Sequence, residues 1–202
     1  MKNTDSYEAW LVDLDGTLYH PAFLKLAMAV ELLVSGWGAL ATIRAFRHAH
    51  EQVRADTNEV GDPFAAQIAR VAEARGQPKS DVERMIREWM FERPLKYLRP
   101  LRRRALLEEI TLFRSAGGKT AIVSDYPARE KLGALGVLEQ FDTIVASGEP
   151  DGPRRLKPHP EGYLAAAERL GVAPERCLIV GDRDDADGAA ARAAGMGFRL
   201  VG

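Results

Sequence analysis

The sequence has little of what marks secreted, membrane or nucleic-acid-binding proteins. It contains one cysteine, Cys177, so an intramolecular disulfide cannot form. Lysine and arginine together number 28, against 29 aspartate and glutamate residues, and this balance argues against broad electrostatic binding to nucleic acid. Residues 1–8 are polar and lack the basic start and apolar core of a secretory signal. We therefore expect a cytoplasmic protein with no nucleic-acid partner.

The sequence also has no apolar run long enough to cross a membrane. The most apolar stretch, residues 22–43, is interrupted by Lys25, Glu31, Gly36 and Gly38, so it falls short of the roughly 20 residues that a bilayer requires. Residues 24–34 within it predict a helix that is buried, that holds a hydrophobic substrate tail, or that contacts a second subunit. We expect no membrane span, and a homo-oligomer through this helix is one of the open alternatives.

The pattern of apolar residues divides the chain into two parts. After a first apolar strand, helical periodicity continues without a strand over residues 23–34, 40–55, 64–75 and 81–91. Gly76 is placed to end the third helix, and Ser80 with Glu83 forms a capping-box pattern that predicts the start of the fourth. The composition, 46% hydrophobic and 28% charged, is typical of a globular protein.

Beyond Pro100, strands and helices alternate. Predicted strands cover 120–124, 143–146, 177–180 and 198–201, and the predicted helices around them cover 102–116, 128–135, 161–170 and 188–194. Such alternation is typical of an α/β fold, with a parallel sheet between helices. We expect residues 1–19 and 96–202 to form this α/β core domain and residues 20–95 to form an inserted all-helical domain.

One hexapeptide, Asp13-Leu14-Asp15-Gly16-Thr17-Leu18, follows the apolar strand of residues 9–12. A carboxylate at the end of a strand can attack phosphorus, and a second carboxylate two positions on can move the proton of the leaving group. Gly16 permits the tight bend between them and leaves backbone amides free to face an anion. The hexapeptide predicts phosphoryl transfer.

Three later segments supply groups that such chemistry needs. They are Ile-Val-Ser-Asp at 122–125, Leu-Lys-Pro-His-Pro at 156–160 and Ile-Val-Gly-Asp-Arg-Asp-Asp-Ala-Asp at 179–187. Ser124 offers a hydroxyl and Lys157 a cation for a phosphoryl group, and Asp182 begins a run of carboxylates. Ligands of parallel sheets bind beyond the carboxyl ends of the strands, so we expect these groups to meet there.

The four segments, in this order, resemble those of the haloacid dehalogenase superfamily, and most closely its phosphatases with a helical cap of the C1 type inserted after the first segment. The resemblance implies a Rossmann-like core with strand order five, four, one, two, three. It implies that Asp13 is the nucleophile that forms an aspartyl-phosphate and that Asp15 is the general acid and then the general base. True dehalogenases lack the second aspartate, so Asp15 disfavours cleavage of carbon–halogen bonds.

The resemblance further implies a Mg²⁺ ion as cofactor. Asp13 and Asp182 are its expected carboxylate ligands, Asp15 contributes its main-chain carbonyl, and Asp187 is the expected second acid near the metal. Asp187 could instead be only a helix N-cap. Asp185 is the other candidate for the second acid, although a solvated loop is the favoured interpretation of Asp184 and Asp185.

The remaining expected site residues bind phosphate or orient the acid. The resemblance assigns phosphate binding and catalysis to Ser124 and Lys157. Gly16, Thr17 and Asp125 are the other expected phosphate-binding residues, Gly16 and Asp125 through their backbone amides, and Thr17 is also a candidate to orient Asp15. Together these expectations describe a Mg²⁺-dependent phosphatase acting on a small organic phosphate monoester. A phosphomutase that transfers the phosphoryl group to a sugar and a catalytically idle phosphate-binding protein are the alternatives. Cap arginines such as Arg47 and Arg54 either bind a second anionic group or only solvate the surface.

Overall fold

The computed structural model describes residues 7–56 and 61–202, so most of the segment considered as a secretory signal lies outside the described residues. The apolar runs form a five-stranded parallel sheet in the order β3-β2-β1-β4-β5. Its strands are β1 Ala9–Val12, β2 Lys119–Ser124, β3 Thr143–Ala146, β4 Cys177–Gly181 and β5 Gly197–Leu200. This order confirms the one implied by the resemblance.

The helices are α1 Pro21–Ser35, α2 Trp37–Ala55, α3 Pro63–Arg75, α4 Lys79–Ile86, α5 Leu95–Leu98, α6 Arg104–Ser115, α7 Arg129–Leu135, α8 Glu161–Leu170 and α9 Ala189–Ala194. Two apolar clusters fix the sheet between helices. On one face Val12 packs with residues of α6 and α7, and on the other Leu11 packs with residues of α8 and α9. Burial on both faces explains why β1 is a continuous apolar run.

A third apolar cluster lies wholly within the inserted helices, and its buried members come from residues 39–91. Gly36 separates α1 from α2, and Gly76 ends α3 in the left-handed conformation with φ of 60°. The capping-box prediction is wrong: α4 begins at Lys79 after Pro78, and Ser80 lies inside it without a side-chain cap. The predicted helix 81–91 continues from α4 as a π-helical turn, Arg87–Glu92, that carries buried Trp89 and Phe91 into the same cluster.

Helix α1 has two different apolar faces. Leu24 is buried, whereas Phe23, Leu26, Val30, Leu33 and Val34 are between 53% and 80% exposed. Within residues 7–56 and 61–202, no helix combines the length and the apolar character that a membrane crossing requires.

Candidate active site

Three of the four sequence segments meet at one edge of the sheet because their strands are neighbours. Asp13 follows β1, Ser124 ends β2 and Asp182 follows β4. The Asp13 backbone N–H donates to the Val180 carbonyl at 2.9 Å, which continues the ladder beyond the end of β1. β1 lies where the order of the strands reverses direction, and this is the usual ligand position in open parallel sheets.

Lys157 is held against two of the carboxylates. Its Nζ lies 2.5 Å from Asp13 Oδ1 and 2.9 Å from Asp187 Oδ1, and the residue is only 5% exposed. Its main chain is also fixed, because its N–H donates to Asp125 Oδ1 at 3.1 Å and its carbonyl accepts from Arg54 Nε at 2.6 Å. A helix of the insertion thus touches the loop that presents the lysine.

The electrostatics around Asp13 are those of a buried acid among charges of both signs. Burial raises its pKa to about 7, with the charges of Asp187 and Asp15 acting in the same direction and Lys157 opposing them. Burial acts against the charged form of Lys157, but the anionic groups around it, Asp13 foremost, raise its pKa overall. An additional cation beside Asp13 would favour the carboxylate form that a nucleophile needs.

Asp13, Asp182 and Asp187 can converge on one cation. Each offers a carboxylate oxygen, and these atoms lie within 4.8 Å of one another. Burial, and then the charge of Asp187, raise the pKa of Asp182. Gly16 has φ of 94°, and a Cβ at this position would overlap the Asp182 carboxylate. An all-oxygen donor set of this kind fits a hard divalent cation such as Mg²⁺.

Asp187 is a buried, fully bonded carboxylate rather than a helix cap. It lies in a π-helical turn, Asp184–Gly188, and is 2% exposed. Tyr163 Oη donates to its Oδ1 at 2.7 Å, and the Arg183 backbone N–H donates to its Oδ2 at 3.3 Å. The N-cap interpretation is wrong, because α9 begins after Gly188.

The neighbouring acids of this turn face solvent, as the solvated-loop interpretation predicted. Asp184 is exposed and pairs with Arg192 at 2.9 Å. Asp185 is also exposed and pairs with Arg183 at 2.5 Å. Asp187, and neither of these two, joins the buried acidic cluster.

Asp15 is held by two side chains that the sequence did not single out as its partners. Lys131 Nζ lies 2.7 Å from each of its carboxylate oxygens, and Tyr19 Oη donates to Oδ1 at 2.5 Å. Lys131 is 6% exposed, and its Nζ lies 5.3 Å from the ring centroid of Phe91 and 5.8 Å from that of Tyr126. No motif marks a lysine on an ordinary amphipathic helix such as α7, so only its position in space reveals it.

The contacts change the expected orienting role of Thr17 and give the side chain of Asp125 a structural role. Thr17 Oγ1 donates to Asp13 Oδ2 at 2.8 Å, so it orients Asp13 and not Asp15 as predicted. The Asp125 carboxylate holds the Lys157 backbone and lies 3.9 Å from His50 Nε2, so its side chain links a core loop to α2. Ser124 is 2% exposed, and its Oγ accepts from the Tyr126 backbone N–H at 3.2 Å, which leaves its proton free to donate.

A cavity of about 550 Å³ opens beside Asp15 and Asp182, between the sheet edge and the inserted helices. Its other walls come mainly from α1, α2 and the π-helical turn Arg87–Glu92. A larger hollow of about 890 Å³ lies at the opposite edge of the sheet, near Trp10 and Lys119. That hollow contains none of the converging carboxylates, so the smaller cavity is the candidate substrate site.

The comparisons with known proteins agree with this geometry. Residues 7–195 match the family model of haloacid dehalogenase-like hydrolases. A phosphoglycolate phosphatase of Aquifex aeolicus is 30% identical over 196 residues, which cover 95% of this chain and 83% of that protein. A fructose-1-phosphate phosphatase of Escherichia coli is 41% identical over 69 residues, only 34% of this chain and 35% of that protein.

Among solved structures, the L-2-haloacid dehalogenase of Xanthobacter autotrophicus is similar, with a TM-score of 0.66, 21% identity, and coverage of 96% of this chain and 77% of that one. At this identity the likeness shows the fold alone. The family match and the fold together place the chain in the haloacid dehalogenase-like hydrolase family. The phosphatase relatives identify it further as a hydrolase of phosphoric monoesters.

Proposed function

We propose that this protein hydrolyses a small organic phosphate monoester with Mg²⁺ as its cofactor and an aspartyl-phosphate as its intermediate. The observation that carries the proposal is the convergence of the Asp13, Asp182 and Asp187 carboxylate oxygens within 4.8 Å, with Lys157 Nζ 2.5 Å from Asp13. This arrangement combines a nucleophile, a set of oxygen ligands and a fixed cation at the end of β1.

The reaction proceeds in two displacements at phosphorus. A carboxylate oxygen of Asp13 attacks the phosphoryl group while the bond to the leaving oxygen breaks, and Asp15 donates a proton to that oxygen. Water then attacks the phosphoryl group on Asp13, Asp15 takes the proton of the water, and inorganic phosphate leaves. Both enzyme residues return to their starting forms, so the cycle is balanced.

The other site residues bind charge or hold a partner in place. Lys157 and the hydroxyl of Ser124 bind the phosphoryl oxygens, and the backbone near Gly16 and Asp125 adds amide donors. Asp13, Asp182 and the Asp15 carbonyl would hold Mg²⁺, with Asp187 as the further acid. When bound, the ion neutralises charge between the anionic nucleophile and the anionic substrate.

We further propose that residues 20–95 act as a cap domain over a core of residues 1–19 and 96–202. The separate apolar cluster within residues 39–91 supports this division. So do the contacts of insertion residues with site elements: Arg54 with the Lys157 carbonyl, and the Phe91 ring with Lys131. A cap in this position excludes water and selects the leaving group.

The exposed face of α1 supports a proposed homo-oligomer. Phe23, Leu26, Val30 and Leu33 of α1 follow one another at alternating spacings of three and four residues, the spacing of a coiled-coil seam. Trp37, the first residue of α2, is exposed next to this stripe beyond Gly36. Val34, which is 80% exposed, widens this apolar surface. A second copy that presents the same stripe would cover it with a symmetric contact.

The decisive experiment measures phosphate released from a panel of phosphate monoesters by the full-length protein, with EDTA or with added Mg²⁺. We expect turnover only with Mg²⁺. Interconversion of sugar phosphates without release of phosphate would establish a mutase instead. If no ester is either hydrolysed or interconverted, the result would favour a phosphate-binding protein without catalytic activity. A cytoplasmic location is a separate proposal, tested by fractionating cells that express the full-length protein.

A further inference from the structure

The cavity beside Asp15 has walls of a distinct chemical character. Nine of its lining side chains are apolar and come from α1, α2 and the π-helical turn Arg87–Glu92, and the seven larger ones are Leu24, Met28, Leu32, Ile43, Trp89, Met90 and Phe91. Asp15 and Asp182 lie at the end that faces the sheet. A phosphoryl group bound at the carboxylates therefore places its leaving group among hydrocarbon side chains.

Of the four cations that line the cavity, two are paired with carboxylates of the protein and two are exposed to solvent. Lys131 is bound to both oxygens of Asp15, and Arg183 pairs with Asp185. Lys25 and Arg47 are exposed to solvent. A substrate carboxylate inside this cavity would meet neither a free buried lysine nor a free buried arginine among the described lining residues.

Hydroxyl groups would be no better accommodated. Burying a hydroxyl without a hydrogen-bond partner costs free energy, and among the large apolar side chains of the wall only the indole of Trp89 carries a donor. The lining hydroxyls of Tyr19 and Tyr126 follow β1 and β2, at the end of the cavity that faces the sheet. Burying a methylene group is favourable in the same surroundings. The walls thus favour hydrocarbon over sugar and over carboxylate.

We infer that the preferred substrates are phosphate monoesters with a mainly hydrocarbon leaving group, alkyl or aryl, rather than sugar phosphates or phosphoglycolate. This inference rests on the proposed function. These substrates differ from the two that the names of the similar phosphatases give for those proteins. The inference is drawn from the cavity walls of this chain, which come mainly from the inserted helices. The two faces of α1 have different surroundings: Leu24, Met28 and Leu32 line the cavity, while Phe23, Leu26, Val30 and Leu33 are exposed to solvent.

The first test is a series of n-alkyl phosphates of increasing length, with phenyl phosphate, fructose 1-phosphate and phosphoglycolate, all with Mg²⁺. We expect kcat/KM to rise by roughly fourfold per methylene group until the cavity is filled. The hydrocarbon esters should exceed the two polar esters. A higher kcat/KM for phosphoglycolate or fructose 1-phosphate than for every hydrocarbon ester overturns the inference and leaves phosphatase function standing. Absence of turnover on every ester overturns both.

The second test changes the cavity wall. Met28→Gln places an amide in the wall, and Met85→Gln is its matched control, because Met85 is a half-buried methionine of the same insertion that does not line the cavity. We expect Met28→Gln to flatten the dependence of kcat/KM on chain length while Met85→Gln preserves it. Equal slopes in the two variants and the unchanged protein overturn the inference.

A third variant shortens the cavity without disturbing a buried residue. Ala29 is an exposed residue of α1 that lines the cavity, and Ala22 is an exposed residue of the same helix that does not. Ala29→Phe should move the optimum to shorter alkyl chains, while Ala22→Phe leaves it unchanged. An unmoved optimum in Ala29→Phe, with the helix content of the variant preserved, places the leaving group elsewhere and overturns the inference.

Discussion

Lys131 Nζ lies 2.7 Å from each carboxylate oxygen of Asp15, although the two residues are 116 positions apart in the chain. The lysine comes from α7 of the core, and Phe91 of the insertion lies over its ammonium group. Lys131 therefore contacts both the proposed general acid and an aromatic side chain of the inserted helices. The free-energy cost of burying the charged lysine is offset by its contacts with the Asp15 carboxylate and with the rings of Phe91 and Tyr126.

Lys131→Met should reduce kcat because Asp15 loses the side chain that fixes its position. We expect a loss of roughly tenfold to a hundredfold, the usual range when an acid–base group is misplaced. The matched control is Lys119→Met, since Lys119 donates to the Leu170 carbonyl at the far edge of the sheet. Steady-state kinetics with a hydrolysable ester measure both variants, and equal losses in the two would contradict the positioning role.

Asp13→Asn should abolish hydrolysis, because an amide cannot attack phosphorus to form the acyl-phosphate. We expect phosphate release to fall by more than about a thousandfold. Asp184→Asn is the control, since Asp184 is an exposed acid near the site that pairs with Arg192. Circular dichroism checks that both variants fold. Normal turnover by a folded Asp13→Asn variant would refute the nucleophile assignment.

The raised pKa of Asp13 also predicts a pH dependence of stability. Its pKa moves from 3.8 to about 7 on burial, so between these values the folded protein keeps a proton that the unfolded chain releases. Asp13 therefore stabilises the folded protein fully below about pH 4, and this stabilisation is lost as the pH rises through 7.

Comparing Asp13→Asn with the unchanged protein isolates this contribution, because the other titrating groups are common to both. In EDTA, the stability of the unchanged protein relative to the variant should fall as the pH rises from 4 to 8. Denaturant unfolding at several pH values measures the difference. A difference that stays constant or grows with pH would show that burial does not raise this pKa.

Lys157→Met should destabilise the metal-free protein as well as weaken phosphate binding. The lysine is 5% exposed and lies between Asp13 and Asp187, and removing one partner of a buried ionic group costs about 3–5 kcal/mol. The loss should be smaller when Mg²⁺ is present, since the cation would offset the same carboxylates. Unfolding curves with EDTA and with Mg²⁺ test this expectation, and an unchanged midpoint in EDTA would contradict it.

Charge on the outward stripe of α1 should prevent the proposed self-association. Leu26→Glu with Leu33→Glu replaces two residues that are 64% and 60% exposed, so the fold of each chain should survive. Light scattering after size-exclusion chromatography should show a mass near twice 22.2 kDa for the unchanged protein and a monomer for the variant. Leu112→Glu, at an exposed leucine of α6, is the control.

The sheet and its main helices could be predicted because local patterns specify them. β1 and β4 are continuous apolar runs, which parallel strands buried on both faces require. Helix boundaries were predicted less well: Ser80 and Glu83 matched a capping box that would start the helix at Asp81, yet α4 begins two residues earlier, at Lys79. Pro78 occupies the N-cap position with an extended ψ of 138°, so Ser80 lies within the first turn instead of before it.

The sequence by itself determined that Asp13, Ser124 and Asp182 stand at the carboxyl ends of strands, because each follows or ends an apolar run. The chemical roles of these residues, and those of Asp15 and Lys157, are predictions that rest on the resemblance of their motifs. Only the tertiary structure assigned Lys131 and Tyr19 to Asp15, Thr17 to Asp13, and Tyr163 to Asp187. These partners come from helices and loops. The local sequence pattern of such segments indicates which residues are buried, but it does not indicate which distant side chain each residue contacts. Direct contact between charges depends on distances of a few ångströms, and those distances are set when the helices pack.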